Sequence, residues 1–503
     1  MGLKGFTRNF EPLKILSDEQ VRKIHMETMG VLQETGVKIE HDRALHLLEK
    51  NGCDVDFDEN QVQIPPSLAE ECLRDCPSSF RIKARESEND LVIGSNRVYF
   101  ATFPGFQKLD LETWEPYTPS RKEYYELITV LDALPNLHIP IAYPYFGFKG
   151  VPRVMNVPEC VAGKIRNSSK VQMLSYQKDC EIFNIKMVEV VDRMEAVAAA
   201  HVAPPLTIDQ KMSKAIFRHI EAGIPIWMSS GGIMGGSHPS TIAGSVVTNN
   251  AEQIAEIVLC QLIRKGTRIL VQDVAFPQNM RTGAPGFGAI GVALHQSVNS
   301  QIWREYGIPS VAGAPGSTSS KKIDFQCGYE KAIGALIAAL SGASAIQFHS
   351  CIYGEKTAHP VQAILDDDIA GMIGRYIEGV EVSDETLAID LINKVGPIPG
   401  NYLNKEHTRK WWKKEQFVPQ ATNRMTPTEW VKKEKKDCID HAKEKMREIL
   451  ETYESKPLTD DQEEAVENVL NEAREYYLEK DIITDKEWKE YEKQLESSSY
   501  PYE

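Results

Sequence analysis

Four glycines in the middle of the chain each stand between a helix-like segment and a short apolar run. They are Gly223, Gly266, Gly307 and Gly342, and their spacings of 43, 41 and 35 residues each fit about one helix and one strand. A glycine directly after a helix takes a positive φ without a Cβ clash, and fully apolar runs are typical of strands buried on both faces. The repeat therefore predicts a wound α/β protein with a parallel sheet.

The composition is that of an ordinary soluble enzyme, with 42% hydrophobic and 26% charged residues among 503. A formal net charge of −15 argues against a nucleic-acid partner, because a phosphate backbone is attracted by a basic surface. The nine cysteines include no Cys-x-x-Cys pair. Because there is no secretory signal and no apolar run near the ~20 residues of a membrane span, we expect a cytoplasmic protein.

We divide the chain into three predicted parts. Residues 1–95 form a helical N-terminal extension, whose clearest helix starts at a capping box of Ser17 and Gln20. Residues 96–400 hold a strand-rich patch, an amphipathic helix from about Ser120 to Leu134, and then the repeats. Residues 401–503 form a charged helical C-terminal extension, interpreted as a solvated appendage because long charge runs usually mark a solvated face.

Seven candidate strands follow one another through the repeats: LHIPIAY, KVQMLS, AVAAAH, PIWMSS, RILVQD, PSVAGA and SAIQFH. An eighth is expected in RVYFA or just before Asp366. The best helix between them runs from Asn249 to Lys265, with Asn249 and Glu252 placed to cap its start. Because no G-x-G-x-x-G follows the first strand and the repeat does not reverse, the pattern favours a closed (β/α)8 TIM barrel over an open doubly wound sheet.

Reactive groups of such a barrel cluster at the carboxyl ends of its strands. The residues at these positions are mostly aromatic or neutral polar: Tyr143, Tyr145, Tyr176, His201, Ser229, Ser230, Gln272, Asp273, Ala314, His349 and Tyr353. Paired carboxylates for hydrolysis and a lysine for Schiff-base chemistry are missing from these positions. His201, His238 and His349 are dispersed, so we expect hydrogen-bonded pocket residues and no bound metal.

A neutral, aromatic-lined cavity is the site that this pattern leaves. Such a cavity suits a quaternary ammonium, which aromatic ring faces attract through the cation–π interaction. The sequence thus indicates a cationic small-molecule ligand before any family is considered.

Two long segments carry a family resemblance: PSTIAGSVVTNNAEQIAEIVLCQLIRKGTRILVQD and GIPSVAGAPGSTSSKKIDFQCGYEKAIGALIAALSGASAI. Two later segments keep the same order: ILDDDIAGMI and GNYLNKEHTRKWWKKEQFVPQATNR. Over roughly residues 15 to 430, the chain resembles the trimethylamine methyltransferase family of corrinoid-dependent methyltransferases.

The resemblance implies a (β/α)8 barrel that moves a methyl group from an amine to the Co(I) form of cobalamin, carried by a separate small corrinoid protein. Members that act on trimethylamine contain pyrrolysine, whereas this chain contains only the twenty standard residues. It therefore resembles the branch without pyrrolysine, whose members use quaternary amines such as glycine betaine, proline betaine and carnitine. The resemblance also implies a homo-oligomer.

Glycine betaine is our first choice of substrate, and we predict its contacts from position. Tyr99, Phe103, Tyr143 and Tyr353 are candidates for an aromatic cage around the ammonium. His349, the last residue of its strand, is the candidate for binding the carboxylate, with Gln272 in support. No general acid is required, because a quaternary ammonium already carries the charge that lets it leave as a neutral amine.

Several alternatives stay open. Carnitine, proline betaine or another betaine would replace glycine betaine as the methyl donor. A zinc-dependent thiol:corrinoid methyltransferase would need a cluster of thiolates and histidines. A betaine-binding protein without enzymatic activity would keep the cavity but would not transfer the methyl group.

Overall fold

The computed structural model describes residues 4–141 and 145–502. In these residues the strands are β1 (Phe6–Thr7), β2 (Val37–Ile39), β3 (Asp54–Asp56), β4 (Gln61–Gln63), β5 (Phe80–Ile82), β6 (Leu91–Ile93), β7 (Arg97–Thr102), β8 (Gln107–Leu109), β9 (Pro116–Tyr117), β10 (Gln172–Leu174), β11 (Ala196–Val202), β12 (Thr207–Ile208), β13 (Ile226–Ser230), β14 (Ile233–Met234), β15 (Ile269–Asp273), β16 (Phe276–Pro277), β17 (Ser310–Ala312), β18 (Ala345–His349), β19 (Cys351–Ile352) and β20 (Thr357–Ala358).

The α-helices of the same residues are α1 (Asp18–Gly30), α2 (Asp42–Lys50), α3 (Pro66–Asp75), α4 (Arg121–Ala133), α5 (Asn156–Asn167), α6 (Glu181–Glu189), α7 (Gln210–Glu221), α8 (Ile242–Ile263), α9 (Ile290–Glu305), α10 (Phe325–Ser341), α11 (Pro360–Ile377), α12 (Asp384–Leu387), α13 (Ile389–Val395), α14 (Glu406–Gln416), α15 (Pro427–Lys432), α16 (Cys438–Thr452), α17 (Asp460–Glu479) and α18 (Asp485–Leu495). A π-helical turn, Val31–Thr35, continues α1.

The main sheet is parallel and has the strand order β1-β7-β18-β17-β15-β13-β11-β10, with only the short β1 running antiparallel to its neighbour β7. A parallel bridge joins Ala101 of β7 to Ile139 in the LHIPIAY segment. The strand predicted in either RVYFA or the region before Asp366 is therefore β7, whereas Asp366 lies in α11.

The sheet curls around a core of inward-facing side chains. Residues of every parallel strand, together with Ile139 and Ile141, meet in one buried cluster that includes Ala101, Trp227 and Leu270. Outward-facing residues such as Ile346 and Phe348 instead pack with residues of α10 and α11 in a second cluster. The two-residue alternation of a strand thus separates the inner core from the helical layer.

The glycine punctuation of the sequence is confirmed. Gly223, Gly266, Gly307 and Gly342 have φ angles of +76°, +80°, +71° and +103°. Gly342 ends α10 in the left-handed conformation, which a residue with a Cβ adopts only with strain. Each glycine lets the chain leave a helix and enter the next strand at once.

Two predicted helix starts are confirmed, and one is wrong. Ser17 forms a capping box with Gln20 at α1, and Ser120 forms one with Glu123 at α4. The helix expected to begin at Asn249 is α8, which begins at Ile242 and has Thr241 as its N-cap. Glu252 lies in its buried interior and binds other polar groups there.

The C-terminal extension differs from the solvated appendage expected from its charge. Val466, Leu470, Ala473 and Tyr477 of α17 are buried in a cluster with residues of α5 and α6. The charged residues form one face of these helices, and an apolar stripe forms the other. The C-terminal extension is therefore a packed helical layer, although its sequence is rich in charged residues.

The described residues contain no helix that combines the length and apolar character needed to cross a membrane.

Candidate active site

A cavity of about 430 Å³ opens where the parallel strands end at their carboxyl termini. We call it the carboxyl-end cavity. Its lining residues come from β10, β11, β13, β15, β18 and the loops that follow the strands: Phe103, Pro104, Phe106, Ile141, Met173, Ser175, Ala199, His201, Val202, Pro204, Ser229, Gly231, Ile233, Gln272, Val274, Phe276, Pro285, Phe287, Gln347 and Glu355. This volume lies in the range of small-molecule sites.

Four phenylalanines give the cavity its aromatic surface. Phe103 and Phe106 follow β7, whereas Phe276 and Phe287 belong to the loop region after β15. The rings of Phe276 and Phe287 meet edge to face, with centroids 4.9 Å apart and an interplanar angle of 76°. Such packing fixes the two rings against each other in the wall of the cavity, where an aromatic ring face attracts a cation.

The inner wall presents a defined amide donor. The indole Nε1 of Trp227 donates to Gln272 Oε1 at 2.7 Å, and Gln272 Nε2 donates to Gln347 Oε1 at 2.5 Å. Because an indole nitrogen only donates, these two bonds orient both amides. The side-chain nitrogen of Gln347 is thereby directed away from Gln272, as a donor in the cavity wall.

His201 supplies a second polar group. Its Nδ1 is hydrogen-bonded to the Ser229 hydroxyl, and its ring packs against Tyr176 with centroids 5.9 Å apart. The ring borders open space in the cavity, yet burial within the protein lowers its pKa to about 4. His201 is therefore a neutral imidazole at pH 7.

Glu355 stands at the mouth and gives the site its negative charge. The residue is exposed, although burial by the surrounding loops raises the pKa of its carboxyl group. The described lining residues include no lysine or arginine. The local electrostatics therefore favour a ligand with a positive charge near the mouth.

A chain of six hydrogen-bonded side chains lies behind the cavity wall: Asp273, His295, Ser245, His238, Glu252 and Ser230. His295 Nδ1 lies 2.7 Å from Asp273 Oδ2, and Ser245 Oγ lies 3.0 Å from His295 Nε2 and 3.1 Å from His238 Nδ1. His238 Nε2 lies 3.2 Å from Glu252 Oε2, which also accepts from the Ser230 hydroxyl.

This buried chain connects two strand ends. Ser230 is the last residue of β13 and Asp273 is the last residue of β15. Their sequence neighbours, Ser229 and Gln272, line the cavity. The chain thus holds the polar part of the cavity wall from behind.

Two of the six residues predicted as substrate contacts line the cavity, namely Phe103 and Gln272. Tyr99 faces the inner core four residues before Phe103, which is about 13 Å along an extended strand. Its hydroxyl accepts from the backbone N–H of Val92 at 3.0 Å. Tyr143 lies outside the described residues.

His349 lies on the helical side of the sheet. Its Nε2 is 3.5 Å from Asp367 of α11, and its ring contacts Phe100 and Phe348. Strict alternation would put it on the same face as Gln347, but the pairing of β18 with β7 shifts register between these two residues. The irregularity turns Gln347 into the cavity and His349 away from it.

Tyr353 supports the cavity from outside. Its ring meets Phe287 edge to face at 6.4 Å, and Lys321 Nζ lies 4.6 Å from its ring centroid. A lysine of the protein therefore already occupies the ring as a cation–π partner.

Sequence reasoning assigned no role to the other contacts, which include Phe106, Phe276, Phe287, Gln347 and Glu355. Phe276 and Phe287 do lie in the loop AFPQNMRTGAPGFG. Two phenylalanines in a glycine-rich loop after a predicted barrel strand could have indicated that this loop contributes to the aromatic wall. Gln347 could also have been predicted as a cavity residue, because it lies two residues before the end of its strand.

Histidine, cysteine, aspartate and glutamate side chains form no group of three or more able to hold a metal ion within residues 4–141 and 145–502.

Comparison with known proteins matches residues 1–475 to the family model for trimethylamine methyltransferase (MTTB). A glycine betaine methyltransferase from Desulfitobacterium hafniense (strain Y51) is 29% identical over 461 residues, covering 87% of this chain and 92% of that protein. A trimethylamine methyltransferase MttB from Desulfitobacterium hafniense (strain DSM 10664 / DCB-2) is 30% identical over 495 residues, covering 95% of each. The solved monomethylamine methyltransferase MtmB of Methanosarcina barkeri is 13% identical, with a TM-score of 0.46, covering 86% of this chain and 94% of that one.

Proposed function

This chain belongs to the trimethylamine methyltransferase family, and we propose that it transfers a methyl group from a quaternary amine, glycine betaine first, to a corrinoid protein. The observation that carries the proposal is the carboxyl-end cavity, with four phenylalanine rings, one carboxyl group and no lysine or arginine among its described lining residues. The similarity to a glycine betaine methyltransferase supports the choice of substrate.

The polar groups of the cavity match a betaine with its ammonium outward. Gln272 and Gln347 lie within strands and are only 3% and 5% exposed, whereas Phe106 and Glu355 lie in loops beyond the strand ends and are exposed. Donors thus lie deep in the cavity, and negative charge lies at the mouth. The carboxylate of glycine betaine then binds inward, with its methyl groups toward the mouth.

Gln347 and His201 replace His349 as the proposed carboxylate contacts. The Gln347 amide nitrogen is directed into the wall of the cavity by its bond to Gln272. When the Ser229 hydroxyl donates to His201 Nδ1, the Nε2 of the neutral ring carries hydrogen and donates as well. Two neutral donors hold an anion without a fixed positive charge that would repel the ammonium.

The cavity favours loss of the methyl group by removing water from the ammonium. As the C–N bond breaks, its electron pair stays on nitrogen, and the cation becomes a neutral tertiary amine. Aromatic faces stabilise the cation by about 0.5–2 kcal/mol each without a close counter-anion. A low-dielectric wall therefore favours the transition state, in which the charge is already fading.

The proposed methyl acceptor is Co(I) cobalamin on a separate protein, a strong nucleophile for an activated methyl group. We propose that the sheet closes into a (β/α)8 barrel, whose open mouth gives the cobalamin access to the substrate. Loops 275–288 and 314–322 follow β15 and β17 and are suited to ring that mouth. Exposed Phe106, at 40%, supports an accessible opening.

Self-association is a further part of the proposal. Phe325, Tyr329 and Ile333 of α10 are spaced at helical intervals and are 85%, 44% and 46% exposed. Such an apolar stripe fits contact with a second copy. Light scattering on the purified chain measures the mass of the assembly directly.

A panel of amines tests the activity. Purified protein is incubated with reduced free cobalamin and either glycine betaine, proline betaine, carnitine, choline or trimethylamine, and the demethylated amine is quantified. We expect dimethylglycine from glycine betaine and weaker turnover of choline, which lacks the carboxylate. Turnover of trimethylamine alone would contradict the proposal, and stoichiometric betaine binding without dimethylglycine would indicate a binding protein.

The variant Gln347→Leu tests the carboxylate contact. It roughly keeps the size of the side chain and removes both the donor and the oxygen that accepts from Gln272. The KM for glycine betaine should therefore rise by about tenfold, while the KM for choline changes little. Equal effects on the two substrates would contradict the predicted orientation.

A further inference from the structure

A second cavity, of about 750 Å³, lies at the amino-terminal ends of the parallel strands, opposite the carboxyl-end cavity. We call it the amino-end cavity. Its walls come from the N-terminal segment 8–12, the loop at 94–96, and the residues before β17 and β18. None of these residues is used by the proposed methyl transfer.

Two arginines border this cavity. Arg8, which is 7% exposed, donates from Nη1 to the carbonyl of Ala339 at 3.3 Å. Arg304 donates to the carbonyls of Ser341 and Leu13 at 2.8 and 3.4 Å. Three hydrogen bonds use a minority of the N–H groups, since each guanidinium carries five.

The positive charge of the pair is not balanced by a direct ion pair. Within the described residues, neither Arg8 nor Arg304 has a carboxylate oxygen within 4.0 Å. Glu11 lies on the rim and is exposed. Burial and then the charge of Arg304 lower the pKa of Arg8, whereas the charge of Glu11 raises it.

Two serine hydroxyls add uncharged donors to the same wall. Ser310 and Ser344 are 4% and 6% exposed. Their backbones are joined by a 2.8 Å bond from Ser344 N to Ser310 O. In the described part of the chain their hydroxyls bond to no other protein group, and both residues line the cavity.

We propose that the amino-end cavity binds an oxyanion of the phosphate type, held by Arg8, Arg304, Ser310 and Ser344. Guanidinium groups match phosphate oxygens in geometry and charge. Capping of α10 by the arginines is the competing explanation, because they do contact its last carbonyls. Capping accounts for the two bonds to Ala339 and Ser341. It leaves the remaining donors and both hydroxyls without a role.

Titration calorimetry on the full chain tests this site independently of methyl transfer. Inorganic phosphate, AMP and acetate are each titrated at matched ionic strength. We expect one site per chain that binds phosphate or AMP more tightly than acetate. Tighter binding of AMP indicates that the ligand is a phosphate ester, and tighter binding of inorganic phosphate indicates that it is free phosphate.

Variants separate the site from general charge effects. Arg304→Gln should weaken phosphate binding by about tenfold or more, whereas Arg22→Gln, an exposed arginine on α1, should leave it unchanged. The double variant Ser310→Ala, Ser344→Ala breaks no protein hydrogen bond of these hydroxyls and should weaken binding by about three- to tenfold. The proposal is overturned if acetate binds as well as phosphate, if phosphate and AMP both fail to bind, or if Arg304→Gln and the serine variant bind like Arg22→Gln.

Discussion

Glu355 carries the one carboxyl group among the described lining residues of the carboxyl-end cavity. In the proposed reaction its carboxylate attracts the ammonium while the substrate binds, but this attraction fades as methyl transfer neutralises the nitrogen. An interaction that is stronger in the ground state than in the transition state lowers KM without raising kcat. Glu355 is therefore expected to act in binding.

The variant Glu355→Gln separates these effects. We expect KM for glycine betaine to rise by about two- to fivefold, since the group is exposed, and kcat to stay the same or increase. Steady-state kinetics at two salt concentrations measure both constants, and the effect should shrink at high salt. A large fall in kcat with unchanged KM would contradict a role in binding.

The aromatic rings should contribute to affinity one by one. Phe103→Leu and Phe287→Leu each keep an apolar side chain and remove a ring face. Each should weaken glycine betaine binding by about 2- to 30-fold, as a cation–π contact of about 0.5–2 kcal/mol implies. Phe57→Leu, in the loop after β3, is the control, and titration calorimetry gives the affinities. Equal affinities for all three variants would contradict an aromatic cage around the ammonium.

At the residue scale, sequence predicts the chemical character of the site better than its members. Aromatic and neutral polar residues at strand ends predicted an aromatic-lined cavity, and Phe103 and Gln272 line the carboxyl-end cavity. His349 was predicted because it is the last residue of its strand, but a register shift between Gln347 and His349 turns its side chain away from the cavity. The shift depends on how β18 pairs with a strand almost 250 residues earlier, which local sequence does not encode.

At the scale of elements, the buried chain from Asp273 to Ser230 joins β13, β15, α8 and α9. Ser245 is its central residue, because its hydroxyl is hydrogen-bonded to both His295 and His238. Each imidazole loses a partner if that hydroxyl is removed. A buried polar group without a partner costs about 1–3 kcal/mol.

Ser245→Ala should therefore lower the free energy of unfolding by about 1–3 kcal/mol, measured by denaturant titration. Ser213→Ala is the matched control, because Ser213 is also buried in a helix but its hydroxyl makes no hydrogen bond within the described chain. The control should be close to neutral. If the two variants lose the same stability, the network does not hold the cavity wall.

The start of α8 shows why helix boundaries were harder to predict than helices. Asn249 and Glu252 have the residue types of a cap, but both are buried within the helix. Glu252 is satisfied by Leu206 N, His238 and Ser230, three groups distant in sequence or on another element. Residues that a local pattern assigns to helix capping can therefore serve instead in a network of tertiary hydrogen bonds.

At the scale of the whole molecule, the order of helices and strands in the repeats was predictable because a glycine marks the end of each helix and the start of the next strand. The position of the C-terminal extension was not predictable, because its apolar stripe is interrupted by many charges. Several of these charges are partners in the packing. Glu159 of α5 binds Arg121 of α4 at 2.8 Å and Arg474 of α17 at 3.2 Å, and it accepts from Tyr491 of α18.

We expect this cluster to make the packing of α17 and α18 dependent on pH. Burial alone would raise the pKa of Glu159, but Arg121 and Arg474 lower it to about 2. Because the pKa is lower in the folded state than in the unfolded chain, the stabilisation is complete above about pH 4.5 and is lost as pH falls toward 2. A shift of this size corresponds to about 3 kcal/mol.

Arg474→Gln should lower the free energy of unfolding at pH 7 by about 2–4 kcal/mol, because Glu159 keeps its burial and loses one cation. It should also reduce the loss of stability between pH 4.5 and 2, since the pKa of Glu159 then lies closer to its unfolded value. Lys186→Gln breaks an exposed ion pair with Glu472 between α6 and the same helix α17, and should cost less than about 1 kcal/mol. Denaturant titrations of the three proteins from pH 7 to pH 3 measure both effects. Parallel pH curves for wild type and Arg474→Gln would show that Glu159 does not attach the C-terminal helices.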